Sequence, residues 1–400
     1  MTSRERILGA IQHRPVDRLP IDLGGTRQSG IAALAYARLR HQLRPDLDRP
    51  FKVFDVFQML AEIEPDMAEH LPSDTVALNR SAVAFGIHNR DWKPWRLLDG
   101  TEVLVPGDFN PVHNADGDWE LLRNGVAIGR MPADGFYFDR LEKYPGALHP
   151  DLDAWSVPRL SDRELEHYSL SARALFENTD KAIIAALGPP YELFNGIGQG
   201  GFEDWMVTFA SEPAYVADLY QLLTNAWIDN LRLFHQAVGH RLQVLQICDD
   251  FGTQRAPFLS VPMFRERLLP AYKRGLDWIH SHTDWKVMLH SDGAIYPLLP
   301  SIIEMGVDIL NPVQTSAAGM DAARLKSEFG NRLVFWGGSC DPQTTLCSGS
   351  PDEVTAETNA HLQIFTPGSG YVFAPVHNIQ ADVPTANIRA LIETGVRFVQ

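Results

Sequence analysis

Cysteine is scarce in this 400-residue chain: there are three, Cys248, Cys340 and Cys347, with no C-x-x-C spacing. That number and spacing exclude a disulfide framework and a cysteine-rich zinc finger. Positive charge is short as well, with 35 Lys and Arg against 50 Asp and Glu and a formal net charge of −15. Nucleic-acid binding needs clustered Lys and Arg, so the balance argues against it. An anionic small molecule held by a few local arginines is still allowed. No apolar run approaches the ~18 residues of a membrane span, and no repeat or low-complexity tract occurs. The opening residues Met1 to Leu8 are charged and amphipathic, unlike a signal peptide. A soluble, cytoplasmic protein is expected. Two phosphate-cradling signatures are missing: no G-x-G-x-x-G follows the first strand, and no G-x-x-x-x-G-K-[ST] occurs.

The hydrophobic fraction of 45% is enough for a large core. Short apolar segments alternate with amphipathic ones along most of the chain. Strands are predicted near residues 20, 53, 184, 245, 288, 309, 335 and 373. Helices are predicted over 3–12, 31–42, 202–209, 214–237, 262–281, 295–305, 321–328, 351–365 and 384–396. Short strands alternating with helices imply a parallel sheet, and eight βα units close most readily into a (β/α)8 TIM barrel. An open doubly wound sheet is the alternative, disfavoured by the missing glycine fingerprint. From about Val83 to Tyr144 the pattern changes to short alternating segments, with turns at Asp99-Gly100, Asp116-Gly117 and Asn124-Gly125. This reads as a β-rich insertion (residues 83–144) after the second strand, over the mouth of a single barrel spanning 1–400.

Barrel enzymes carry their chemistry just past the strand C-termini. Lys286-Val287-Met288-Leu289 runs directly into His290-Ser291-Asp292-Gly293, and Tyr371 to Pro375 runs into Val376-His377-Asn378. Two strand ends carrying imidazole, one also a carboxylate, suggest a metal or acid–base site. Asp22, Asp55, Asp249, Asp250, Asn311 and Gln314 follow other strands and join the candidates. Each also has a plainer reading. Asp22 could cap the next helix or pair with Arg27, Asp55 could pair with a barrel arginine, and Asp249-Asp250 could be solvated loop acids. Of the cysteines, Cys340 lies in a strand-end loop, whereas Cys248 can simply pack as a small hydrophobe.

The residues also carry a resemblance. Arg4-Glu5-Arg6-Ile7-Leu8 with Pro15-Val16-Asp17-Arg18-Leu19-Pro20, Asp249 to Gln254, His290 to Gly293, Gly306 to Gln314, Phe335 to Gly338, and Ala374 to Gln380 together resemble the uroporphyrinogen decarboxylase superfamily. The likeness spans nearly the whole chain and is strongest to the branch of barrel methyltransferases that work with corrinoid (cobalamin) proteins. In thiol-directed members, zinc is held by His-x-Cys on one strand end and Cys on the last. Here His290 matches the His, Asp292 stands where the first Cys would be, and His377 falls close to the second. The resemblance therefore implies a harder zinc site of His290, Asp292 and His377, suited to polarising an oxygen rather than delivering a thiolate.

It implies a methyltransferase that takes the methyl group from an O-methylated small molecule and passes it to a corrinoid protein or tetrahydrofolate. Asp250 is then a further ligand or holds an imidazole. Asp249, Asp250, Asn311 and Gln314 orient substrate or ligands, and Tyr191, Phe194, Trp92, Trp95, Tyr137 and Phe138 form an apolar wall. The competing expectation is a metal-free decarboxylase or lyase using Arg27, Asp55 and His377. It lacks the Arg-Gln-Ala-Gly-Arg run, so one arginine would face many carboxylates, which costs several kcal/mol in a low-dielectric cleft. A third is a non-catalytic barrel that scaffolds a corrinoid protein. A homodimer is the default assembly for such an enzyme.

Overall fold

Successive side chains of a strand face opposite sides, so a strand buried on both faces reads as a continuous apolar run. Ile309–Asn311 and Val334–Trp336 are wholly buried, and Ala182–Ala186, Val244–Cys248 and Lys286–His290 nearly so. In the computed structural model, which describes residues 1–141, 151–153, 157–193 and 201–399, these strands form one parallel sheet with Thr75–Ala77 and Tyr371–Val372. Its order is Tyr371–Val372, Val334–Trp336, Ile309–Asn311, Lys286–His290, Val244–Cys248, Ala182–Ala186, Thr75–Ala77. The seven-stranded sheet curls until its edges meet across one short segment. There Asp22 N donates to Phe373 O (2.8 Å), Phe373 N to Pro20 O (2.9 Å), and Asp74 N to Ile21 O (2.7 Å). This is the arrangement of a TIM-like barrel.

The period-two alternation divides the core in two. Ala182, Ile184, Val244, Met288, Ile309, Val334, Trp336 and Val372 form an inner cluster. Ile183, Ala185, Leu245, Ile247, Val287, Leu289, Leu310 and Phe335 belong to the outer core, among residues of the surrounding helices. The helix Ser3–Ile11 starts at a Thr2–Glu5 capping box and adds Ile7, Ala10 and Ile11 to the inner cluster. Its neighbours identify which end it closes. Arg4 N donates to Asp180 O (2.6 Å), just before the Ala182 strand. Arg6 and Arg18 both pair with the fully buried Asp74, just before the Thr75 strand, at 2.6 and 2.7 Å. The first helix thus closes the N-terminal end of the barrel, and the strand C-termini are left for a site.

The strand expected near residue 20 is a single bridge between Ile21 and Phe373, because the glycine turn at Gly24 and Gly25 follows at once, and two further differences stand out. Phe51–Asp55 is a strand, but it lies outside the barrel sheet, pairing antiparallel with Leu60–Ala61 and parallel with Glu102–Val105. The barrel position expected for it belongs to Thr75–Ala77. The burial pattern gives the reason: Phe51–Asp55 alternates buried and half-buried residues, as a strand on a partly exposed sheet does. A helix over Asp162–Asn178 was also not expected. Its signature is the Ser161–Glu164 capping box, with Tyr168 and Ala172 turned inward. Between residues 82 and 141 the chain forms short, mainly antiparallel strands, from Ala82–Ala84 to Arg140–Leu141. Phe85, Phe138, Phe109, Trp95 and Trp119 join them in a chain of edge-to-face contacts, each worth about 0.5–1.5 kcal/mol beyond burial.

Candidate metal centre

Parallel register brings the strand ends into line: Cys248 lies opposite His290, and His290 opposite Asn311. His290 is two residues past the inward-facing Met288, so alternation turns its ring to the barrel interior. Immediately beyond, Gly293 turns the chain at φ +95°, where a Cβ would stand 2.3 Å from the Gly252 carbonyl oxygen. Only glycine allows that approach. The turn is pinned from three sides. Asp292 N donates to Asp250 Oδ1 (2.8 Å), Gly293 N to Gln314 Oε1 (2.8 Å), and Phe251 N to Ser291 Oγ (3.0 Å).

Donor atoms of His290, Asp292 and His377 come together here, all within 4.8 Å of one another. His290 Nε2 is 3.6 Å from Asp292 Oδ2, and the two imidazole centroids are 5.8 Å apart. His290 Nδ1 meets Asn311 Oδ1 at 2.8 Å, and His377 Nδ1 meets Asn378 Oδ1 at 3.1 Å. Both Nδ1 atoms are engaged, which leaves the Nε2 atoms for the centre. Two imidazole nitrogens and one carboxylate oxygen make a donor set that fits zinc with an open fourth position. Ligands at ~2.1 Å in a tetrahedron stand about 3.4 Å apart, against 3.6 Å for His290 Nε2–Asp292 Oδ2 and at most 4.8 Å within the trio.

Burial disfavours the charged ring of His290, but the Asp292 carboxylate, 3.6 Å from Nε2, outweighs it and raises the ring's pKa to about 9. Burial likewise disfavours the Asp292 carboxylate, and His290 overrides this and lowers its pKa. His377 is pushed down, chiefly by burial. Asp250 is pushed up by burial, opposed by the charge of His290. Asp250 thus sits within reach of both imidazoles electrostatically while holding the Asp292 backbone.

The other expected residues fall in three places. Gln314 supports the turn, with its Nε2 on Gln254 Oε1 at 3.1 Å, and Asn311 spans His290 and the Trp336 carbonyl. Asp55 is fully buried and accepts from Arg27 Nε with one oxygen and from Phe57 N and Gln58 N with the other. Arg27, about a third exposed, pairs with Asp55 and not with Asp22. Asp22 instead accepts from Thr75 Oγ1, Ser29 Oγ, Gly25 N and Trp336 Nε1, across the seam where the sheet edges meet.

Asp249 turns away from the centre. It accepts from Tyr272 OH and Leu193 N, both at 2.7 Å, and burial followed by the charge of Glu192 pushes its pKa well up. Tyr191 belongs to the same buried group, stacked on Tyr220 and bonded to Thr224. Phe194 lies outside the described residues. Trp95 and Phe138 sit in the aromatic chain of the 82–141 strands, Tyr137 is exposed, and Trp92 carries Lys52 above its ring at 5.0 Å. Cys340 is buried, and burial with the charge of Glu357 pushes its thiol well up.

Sequence reasoning gave no role to Asn378 or Gln58. Asn378 is 1% exposed and bonds to His377, Gln380 and Gln58. Its position directly after a strand-end histidine was the available signal. Gln58 had none, because its partner is 320 residues away.

The family model of uroporphyrinogen decarboxylase (URO-D) matches residues 141–398. Among curated proteins, uroporphyrinogen decarboxylase from Chlorobium phaeobacteroides is 31% identical over 317 residues, covering 75% of this chain and 81% of the relative. Its counterpart from Chlorobium limicola is 29% identical over 252 residues, 61% of this chain and 68% of the relative. Among solved structures, a methyltransferase from Methanosarcina mazei covers 100% of this chain and 99% of its own, with a TM-score of 0.62 and 18% identity. At that identity the likeness is one of fold.

Proposed function

The chain belongs to the uroporphyrinogen decarboxylase family, and from that premise we propose that it is a zinc-dependent methyltransferase. It takes the methyl group of an O-methylated small molecule and passes it to a corrinoid protein or to tetrahydrofolate. The observation that carries this reading is the convergence of His290, Asp292 and His377 at the strand ends, with the Nδ1 atoms of both rings held by asparagines. The fold shared with a methyltransferase supports it. Zinc, when bound, supplies a Lewis acid that draws electron density from a methoxy oxygen. With two imidazoles and a carboxylate, and no thiolate, the donor set favours a hard oxygen over a sulfur substrate.

The chain's own residues supply the rest. Asp250 fixes the Asp292 backbone, and its pKa, pushed up by burial, suits a general acid that protonates the oxygen left when the methyl group departs. Gln314 and the Gly293 turn keep Asp292 in place. We read residues 83–144 as an insertion into a single barrel, with its aromatic chain walling the mouth against water.

Metal analysis tests this proposal. The purified protein should hold about one zinc per chain, and His290→Ala and His377→Ala should each lose most of it. Demethylation of methoxylated small molecules, with cob(I)alamin as acceptor, should stop on chelation and return with zinc. Zinc content unchanged in both variants refutes the site.

The Arg27–Asp55 pair favours a second reading, a metal-free decarboxylase, as do the names of the curated relatives. It predicts CO2 release that survives chelation and falls in Arg27→Ala.

A further inference from the structure

Both imidazoles of the centre are oriented by asparagines, and a backbone carbonyl determines which way each asparagine faces. A carbonyl oxygen can only accept. The Trp336 carbonyl therefore accepts a hydrogen bond from Asn311 Nδ2 (3.1 Å), and this turns Asn311 Oδ1 to His290 Nδ1 at 2.8 Å. An amide oxygen also only accepts, so Nδ1 carries the hydrogen and the lone pair of the neutral ring is on Nε2.

The same logic runs on the other side through different residues. The Asn378 backbone carbonyl accepts a hydrogen bond from Gln380 Nε2 (3.3 Å), and that same nitrogen donates to Asn378 Oδ1. Oδ1 is thereby the accepting end of the Asn378 amide, and His377 Nδ1 donates to it at 3.1 Å. Asn378 Nδ2 turns to Gln58 Oε1 at 3.1 Å. Gln58 is held in turn by Asp55, whose Oδ1 accepts the Gln58 backbone N–H at 3.1 Å. Asn311 and Asn378 are 2% and 1% exposed, so neither amide can reverse and exchange its partners for water.

We infer that Asn311 and Asn378, the latter braced by Gln58 and Gln380, are positioning residues that set the tautomer of His290 and His377. They commit Nε2 of each ring to one shared divalent cation. This rests on the zinc reading above. Of the two roles expected for Asn311, substrate or ligand orientation, it selects the second, and it joins the Asp55–Gln58 segment to a ligand of the last strand. Such outer partners govern affinity because they preset both the direction of the ring and its basicity.

The test uses Asn378→Leu and Asn378→Asp in the full-length protein. Leucine removes the acceptor at similar size, whereas aspartate keeps an oxygen on His377 and lets Gln58 reverse its amide to donate. Zinc affinity is read by competition with a chromophoric chelator, and the His377 tautomer from ring nitrogen shifts in metal-free protein. N378L should weaken zinc roughly 10–100-fold and move His377 toward the Nε2–H form, while N378D stays within about threefold and keeps Nδ1–H. Should N378L fail to fold, the half-buried Gln58→Leu should show the same direction with a loss of roughly 3–10-fold. Unchanged affinity and tautomer in folded variants overturn the inference. Wild-type protein that holds no zinc overturns the zinc reading instead, and the His377 tautomer in N378L then decides the asparagine assignment separately.

Discussion

Replacing Asp292 with asparagine tests the charge balance of the centre most directly. In the metal-free protein burial works against the charged His290 ring. The nearby Asp292 carboxylate, followed by the charge of Asp250 and the bond to Asn311, outweighs it and raises the pKa from 6.5 to about 9. At ~1.4 kcal/mol for each tenfold change, that is about 3 kcal/mol in favour of the imidazolium. The folded value lies above the unfolded one, so this stabilisation is complete below pH 6.5 and disappears as pH rises through about 9. Zinc must displace the same proton. Wild-type affinity should therefore climb about tenfold per pH unit between the two values and then level off. In D292N, burial is opposed only by the weaker partners, so His290 should titrate near or below its usual value. The climb should then end earlier, at a weaker final affinity because one ligand is gone. The assay pairs an imidazole NMR titration of metal-free protein with chelator competition at several pH values. A wild-type midpoint near 6.5, or one that D292N leaves in place, refutes the ion pair. Zinc affinity that is flat between the two values refutes His290 as the ligand in competition with the proton.

Three further outcomes follow from the same structure. Gly293→Ala places a Cβ against the Gly252 carbonyl at positive φ, so it should cost about 1–3 kcal/mol or more in chemical denaturation; a loss below about 0.5 kcal/mol would show that the turn relaxes freely. Tyr272→Phe takes one donor from buried Asp249, and a loss of about 1–3 kcal/mol is expected at neutral pH. Because burial raises the Asp249 pKa, its folded form favours the proton, and the stability this contributes is lost as pH rises through the folded value. The Y272F penalty should therefore shrink in acid, where the carboxyl is neutral, and a pH-independent penalty would count against an ionised Asp249. Cys340, buried beside Glu357, should resist alkylation in native protein and react only on unfolding; rapid native labelling, mapped by mass spectrometry, would contradict its burial.

The barrel was legible wherever burial on both faces made a strand a continuous apolar run. Lys286–His290 and Val244–Cys248 lie where their residues indicated, and Pro351–Phe365 coincides with its predicted span. Legibility failed for Thr75–Ala77, three residues with a polar start and too short to show a period. It failed also for Phe51–Asp55, whose alternation is real but serves another sheet. The trio at the centre was readable because His290 and Asp292 follow one strand and His377 another, and strand ends of a barrel share a rim. The division of Asp249 from Asp250 was not readable. Adjacent residues leave a strand in opposite directions, and only the packing of Tyr272 shows which carboxylate turns inward.

By itself the amino-acid order determined the alternation of strand and helix, and hence the rim on which His290, Asp292 and His377 would meet. These are local properties, because period and turn chemistry depend on neighbours a few residues apart. Tertiary structure alone decided which nitrogen of each imidazole faces the centre. Trp336 anchors the asparagine on His290, and Gln58, 320 residues from Asn378, braces the one on His377. Hydrogen-bond direction is settled by whichever group packs against the amide, and distance along the chain carries no trace of it.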